Sequence, residues 1–133
     1  MAGVHFAFED YKQLLRLSIG IAQRLDENRA ESFTLLYCDF SGVSKDVIEE
    51  ALGEILRTSD SIVNFGGDYF FVLPYTDKYG AEIVKKHFDK FFDTFLKSFL
   101  VSYPVDGESE EELTETLQNS VKTFHKKDLA YLD

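Results

Sequence analysis

"DSIVNFGGDYFFVLP", residues 60–74, sets two runs of β-branched and aromatic residues on either side of a glycine pair. Glycine accepts the positive φ of a two-residue turn without steric cost. The stretch therefore predicts a hairpin, with strands Ser61 to Phe65 and Asp68 to Leu73 joined by Gly66-Gly67. Asp68 is the one acid at the turn. It is either the polar residue that a turn needs or a residue kept for chemistry.

Upstream of the hairpin, "SFTLLYCDF" (residues 32–40) is apolar on both faces and ends at Asp39, which predicts a central strand. Ser44 can cap a following helix whose buried stripe is Val47, Ile48, Ala51, Leu52, Ile55 and Leu56, running to Arg57. Nearer the N-terminus, Phe8, Tyr11, Leu14, Leu15, Ile19, Ala22 and Leu25 recur at helical spacing, and "DENRAE" breaks that face. Downstream, Thr76 can cap a long helix carrying Ala81, Ile83, Val84, Phe88, Phe91, Phe92 and Phe95. "SFLVSY" predicts a fourth strand. Ser109 and Glu112 have capping-box spacing ahead of a last helix with Leu113, Leu117 and Val121 inward. The order is one helix, then βαββαβ, then one helix. This predicts an α+β fold with a ferredoxin-like core, its antiparallel-rich sheet covered by helices on one face. Residues 1–31 form the extra N-terminal helix and connector, and residues 32–133 the domain proper, the whole being one folded unit.

Composition narrows the function. The 133 residues carry 24 acids against 14 bases, a formal charge of −10. Such a surface repels nucleic acid and anionic membranes, so neither is an expected partner. Cys38 is the single cysteine, and His5, His87 and His125 lie far apart, which argues against disulfides and zinc. The N-terminus lacks the pattern of a signal peptide, and no apolar run is long enough to span a membrane. A reduced, cytoplasmic setting is the expectation.

"FGGDYFFVLP" resembles the signature hairpin of GGDEF domains, the bacterial diguanylate cyclases that join two GTP molecules into cyclic di-GMP. "LLYCDF" resembles that family's first strand, which ends in a metal-binding aspartate. "RTSDSIVNF" resembles the helix end and strand before the hairpin, and "SFLVSYPVDGESEEEL" the segment before the final helix. The resemblance runs from about Phe33 to Phe124. It implies a palm-like GGDEF fold, with Gly66, Gly67, Asp68, Tyr69 and Phe70 as the motif hairpin and Asp39 and Asp68 at the metal-ligand positions.

The departures from that pattern imply a degenerate, inactive member. The fourth motif position is Tyr69 rather than an acid, and Ser41 stands where a second strand-end acid is frequent. Asn64 replaces an arginine, and the segment that reads guanine and places the triphosphate is missing between Asp39 and the next helix. Two carboxylates are too few to hold magnesium tightly, so no cofactor is expected and the Asp39–Asp68 site is vestigial. Asp68 is then expected to do a turn residue's work. Arg57-Thr58-Ser59-Asp60 matches the RxxD site at which many GGDEF domains bind cyclic di-GMP. An arginine fork suits guanine O6 and N7, and a carboxylate suits N1 and N2. A dianionic ligand needs further positive charge, for which Arg24, Arg29 or a partner chain are the candidates. The resemblance thus implies either a cyclic di-GMP receptor or a protein-interaction and regulatory module, with the N-terminal helix joining a protein partner or a second copy. Residual cyclase activity on a reduced metal site is the alternative.

Overall fold

The computed structural model describes residues 3–25 and 30–133; the Asp26 to Arg29 part of the connector, and with it Arg29, lies outside the described residues. The elements are β1 (Val4–His5), α1 (Tyr11–Arg24), β2 (Glu31–Asp39), α2 (Lys45–Ile55), β3 (Ser61–Phe65), β4 (Asp68–Pro74), α3 (Lys78–Phe92), β5 (Ser98–Pro104) and α4 (Glu110–His125). The sheet order is β1-β3-β4-β2-β5. Strands β3, β4, β2 and β5 pair antiparallel throughout, which is the ferredoxin-like arrangement. The two-residue β1 adds a parallel edge beside β3, too short to leave a periodic signal in the sequence.

Strand β2 is central because both its faces are apolar. Phe33, Leu35 and Tyr37 point to one side with Phe70, Val72 and Val101, and helices α1 and α4 cover that side with Tyr11, Leu14, Leu15, Leu113, Leu117 and Val121. Leu36, Cys38 and Phe40 point to the other side with Tyr69, Phe71 and Leu73, beneath α2 and α3. The helices therefore lie on both faces of the sheet, not on one as the element order suggested. The first and last helices together supply the second layer.

The glycine pair works for two separate reasons. Gly66 sits at φ +58°, and a Cβ on Gly67 would lie 2.6 Å from the Cα of Ser41. Gly66 makes the turn, and Gly67 lets the β2–α2 loop close over it, where Phe40 N–H donates to the Gly67 carbonyl at 2.8 Å.

Helix ends differ in detail from the sequence reading. Ser44 stands at the start of α2 but makes no side-chain cap. Asp77, not Thr76, caps α3, accepting from Gly80 N–H at 2.8 Å. Thr76 is occupied elsewhere: its carbonyl accepts from Thr34 and its hydroxyl donates to the Pro74 carbonyl. Helix α3 stops at Phe92, because Asp93 turns left-handed, so Phe95 lies beyond the helix and is 84% exposed. Ser109 caps α4 as expected, accepting from Glu112 N–H, while the Glu112 carboxylate accepts from Glu108 N–H. The free edge of β5 is blunted: Asp106 accepts from Ser102 N–H and donates to its carbonyl, and His125 meets the Ser98 carbonyl at 2.8 Å.

Replacing Asp77 by alanine removes the α3 cap and is expected to cost about 1 kcal/mol, measurable as a shift in urea midpoint with unchanged slope.

Candidate functional site

The register of β2 on β4 builds the site. Asp39, the last residue of β2, pairs directly with Asp68, the first of β4. Residues opposite one another in an antiparallel pair share a face, so the two carboxylates are forced together on the side covered by α1 and α4. Tyr37, two residues before Asp39, points the same way, and its hydroxyl donates to Asp68 Oδ1 at 2.8 Å.

The rest of the site comes from the C-terminus. Lys126, at φ 58°, ends α4 in the left-handed region and reverses the chain. Lys127 then reaches back, its Nζ 2.5 Å from Asp68 Oδ1 and 3.4 Å from Asp39 Oδ2. A short 3-10 turn at Ala130–Leu132 seats Leu129 and Leu132 in the core and brings the Tyr131 hydroxyl to donate to Asp68 Oδ2. The Tyr131 ring stacks on Phe65 at 4.3 Å and meets Phe8 edge-on. The Asp39 Oδ1 oxygen accepts from Ser41 N–H at 2.9 Å.

Asp68 is therefore not a turn residue. It is buried and accepts from two phenols and an ammonium, the compensation a buried carboxylate requires. Burial and the Asp68 acceptor push the Tyr37 and Tyr131 phenols up, so both stay protonated as donors. Burial works to raise the Asp39 carboxyl, but hydrogen bonds from Ser41 and the charge of Lys127 outweigh it and hold Asp39 below its ordinary 3.8. Burial works to lower Lys127, and Asp68 and Asp39 outweigh it, raising the ammonium above its ordinary 10.5.

The residues present do not fit a divalent cation. The space between the two carboxylates is filled by a lysine head, and among the described residues no three His, Cys, Asp or Glu side chains converge on a point. Tyr69, at the fourth motif position, points to the opposite face and packs on Phe40 at 4.9 Å; Phe70 lies in the core beside Tyr37.

Arg57 and Asp60 are also brought together, but as partners of each other. The guanidinium donates to Asp60 Oδ1 at 3.0 Å, to the Pro74 carbonyl and to the Thr76 hydroxyl oxygen; Asp60 Oδ2 accepts from Arg57 N–H at 2.8 Å. Asp60 is 2% exposed, while the Arg57 side chain stays open to solvent beside a cleft of about 350 Å³ lined by Tyr75, Thr76 and Asp77. Arg24, on the outward face of α1, is not among the residues lining this cleft.

Sequence reasoning placed Asp39 and Asp68 together and missed Lys127, Tyr131 and Tyr37. Alternation along β2 puts Tyr37 on the face of Asp39 and was available as a signal. Lys127 and Tyr131 are 59 and 63 residues from Asp68 and reach it only through the reversal after α4.

The architecture is that of a GGDEF-like, ferredoxin-type α+β domain. No protein-family model and no curated protein matches the sequence. Among solved structures, the chain is similar to a sensory box/GGDEF family protein from Caulobacter crescentus CB15, with a TM-score of 0.58 and 14% identity, over 91% of this chain and 93% of that one. At that identity the likeness defines the fold. No helix among the described residues is long and apolar enough to cross a membrane.

Lys127→Met leaves two adjacent carboxylates without their cation and is expected to cost about 1–3 kcal/mol, nearer the lower figure because the lysine head is partly solvated. The folded-state value of Asp39 is depressed, so its contribution is present above its unfolded value and lost as pH falls through the folded one. That of Lys127 is raised, so its contribution is complete below 10.5 and lost as pH rises through its folded value. Urea melts of both proteins across pH are expected to show a constant difference through the neutral range that shrinks at both extremes.

Proposed function

We propose that this chain is a non-catalytic GGDEF-like domain that serves bacterial signalling as a protein-interaction and regulatory module. The observation that carries this reading is the Lys127 ammonium seated between Asp39 and Asp68. Diguanylate cyclisation needs divalent metal at these carboxylates to acidify the attacking hydroxyl and neutralise the triphosphate. A tethered single charge, already satisfied by two carboxylates, supplies neither. The β2–α2 connection supports the same reading: it spans only residues 40–44, leaving no chain for a base-reading segment. Without positioning and phosphate neutralisation, most of the rate enhancement of such a reaction is absent.

Purified protein with GTP and magnesium is expected to yield no cyclic di-GMP by chromatography. Lys127→Ala is expected to stay inactive as well, because Tyr69 cannot replace the missing acid. A magnesium-dependent yield from the wild-type protein overturns the reading in favour of residual cyclase activity.

A cyclic di-GMP receptor is the second reading, favoured by the solvent-facing Arg57 beside its cleft. The ligand would have to compete with Asp60, the Pro74 carbonyl and Thr76 for the guanidinium, and Asp60 is buried with each oxygen already accepting from Arg57. Calorimetric titration with cyclic di-GMP is therefore expected to show no micromolar binding. Micromolar binding abolished by Arg57→Ala makes the receptor reading the correct one.

A further inference from the structure

The outward face of α1 is apolar and basic on a chain that is otherwise acidic. Its inner residues Tyr11, Leu14, Leu15 and Ile19 are buried, while Leu17, Ile21 and Leu25, one turn apart on the other side, are 61%, 51% and 41% exposed. Between them, a Cβ on Gly20 would meet nothing within 4 Å. Leu17, Gly20, Ile21 and Arg24 stand at i, i+3, i+4 and i+7, the four corners of a hole that receives a side chain from a second helix. A hollow of about 350 Å³ lies there, rimmed by Arg16, Leu17, Ile21, Arg24 and Leu25. Glycine weakens a helix interior relative to alanine, and no contact within this fold requires it at position 20.

The charges that α1 itself brings to the hole have one sign. Every charged side chain of α1 is basic (Lys12, Arg16 and Arg24), against a net −10 for the chain. Arg16 lies 3.6 Å from Glu110, and Lys12 and Arg24 have no carboxylate partner among the described residues.

We infer that this face of α1 docks an acidic amphipathic helix of a partner protein, one apolar side chain seating over Gly20 and carboxylates flanking Arg16 and Arg24. The inference rests on the interaction-module reading and names the partner's chemistry. A second copy of this chain fits poorly, because pairing α1 with itself sets Arg16 and Arg24 against the same cations. An anionic membrane fits poorly too, since its plane would face the acidic surfaces around α1 as well, whereas a single helix covers α1 alone.

The test is a titration of the isotope-labelled protein, followed by amide chemical shifts, with a synthetic amphipathic helix bearing leucines on one face and glutamates along both flanks. A lysine-flanked version of the same peptide runs in parallel. Shifts confined to residues 12–25 are expected with the glutamate peptide only. Arg24→Glu is expected to weaken binding at least tenfold. Gly20→Gln, which fills the notch with a better helix former, is expected to raise the melting temperature yet abolish binding, separating the surface from the fold. Silence with the glutamate peptide, shifts away from α1, concentration-dependent α1 shifts with a doubled mass by light scattering, or preference for phosphatidylglycerol vesicles each overturns the inference. Any of these in a protein that makes no cyclic di-GMP leaves the underlying reading standing; synthesis of cyclic di-GMP removes that reading instead.

Discussion

A carboxylate placed inside a protein must be matched by hydrogen-bond donors, and the burial of Asp68 imposes that condition on three distant parts of this chain. Tyr37 answers it from the neighbouring strand, Lys127 from the turn after α4, and Tyr131 from the last residues described. Their demands fix where the C-terminal segment lies. Leu129 and Leu132 anchor it in the core, and the Tyr131 ring closes against Phe65 and Phe8, so the hairpin, the N-terminal segment and the tail meet at one point.

The same condition links stability to function. At the end of the sheet, where metal chemistry would require an open pair of carboxylates, this chain has paired them internally with its own lysine. The RxxD pair follows the same pattern on the other side of the hairpin, where Asp60 is buried and serves Arg57 rather than facing solvent. In both constellations singled out for chemistry, the acids are bonded to groups of the same chain. The outer face of α1, by contrast, turns Leu17, Ile21 and Leu25 to solvent.

How much of this was legible depends on the range of the interactions. The hairpin, the central strand and the helical stripes are local patterns, and they appear where expected because period and turn chemistry decide them. The assignment of Thr76 as a cap failed by one residue because its hydroxyl and carbonyl are drawn into contacts with Pro74 and Thr34, a competition no local pattern displays. Phe95 continued the helical spacing and yet lies outside α3, since Asp93 takes the left-handed turn and Asp89 then accepts from Leu96 N–H.

The order of elements and the alternation of apolar residues were enough to read the ferredoxin-like core and the glycine turn, and the resemblance to the GGDEF hairpin implied the meeting of Asp39 with Asp68. These follow from backbone sterics and from strand register, which one buried face is enough to specify. The tertiary structure alone decided what those acids do. The helices closed over both faces, the chain reversed after α4, and Lys127 and Tyr131 came within reach of Asp68 across about sixty residues of sequence. Electrostatic compensation of a buried charge acts through space, and its partners carry no mark in the sequence until the fold has brought them together.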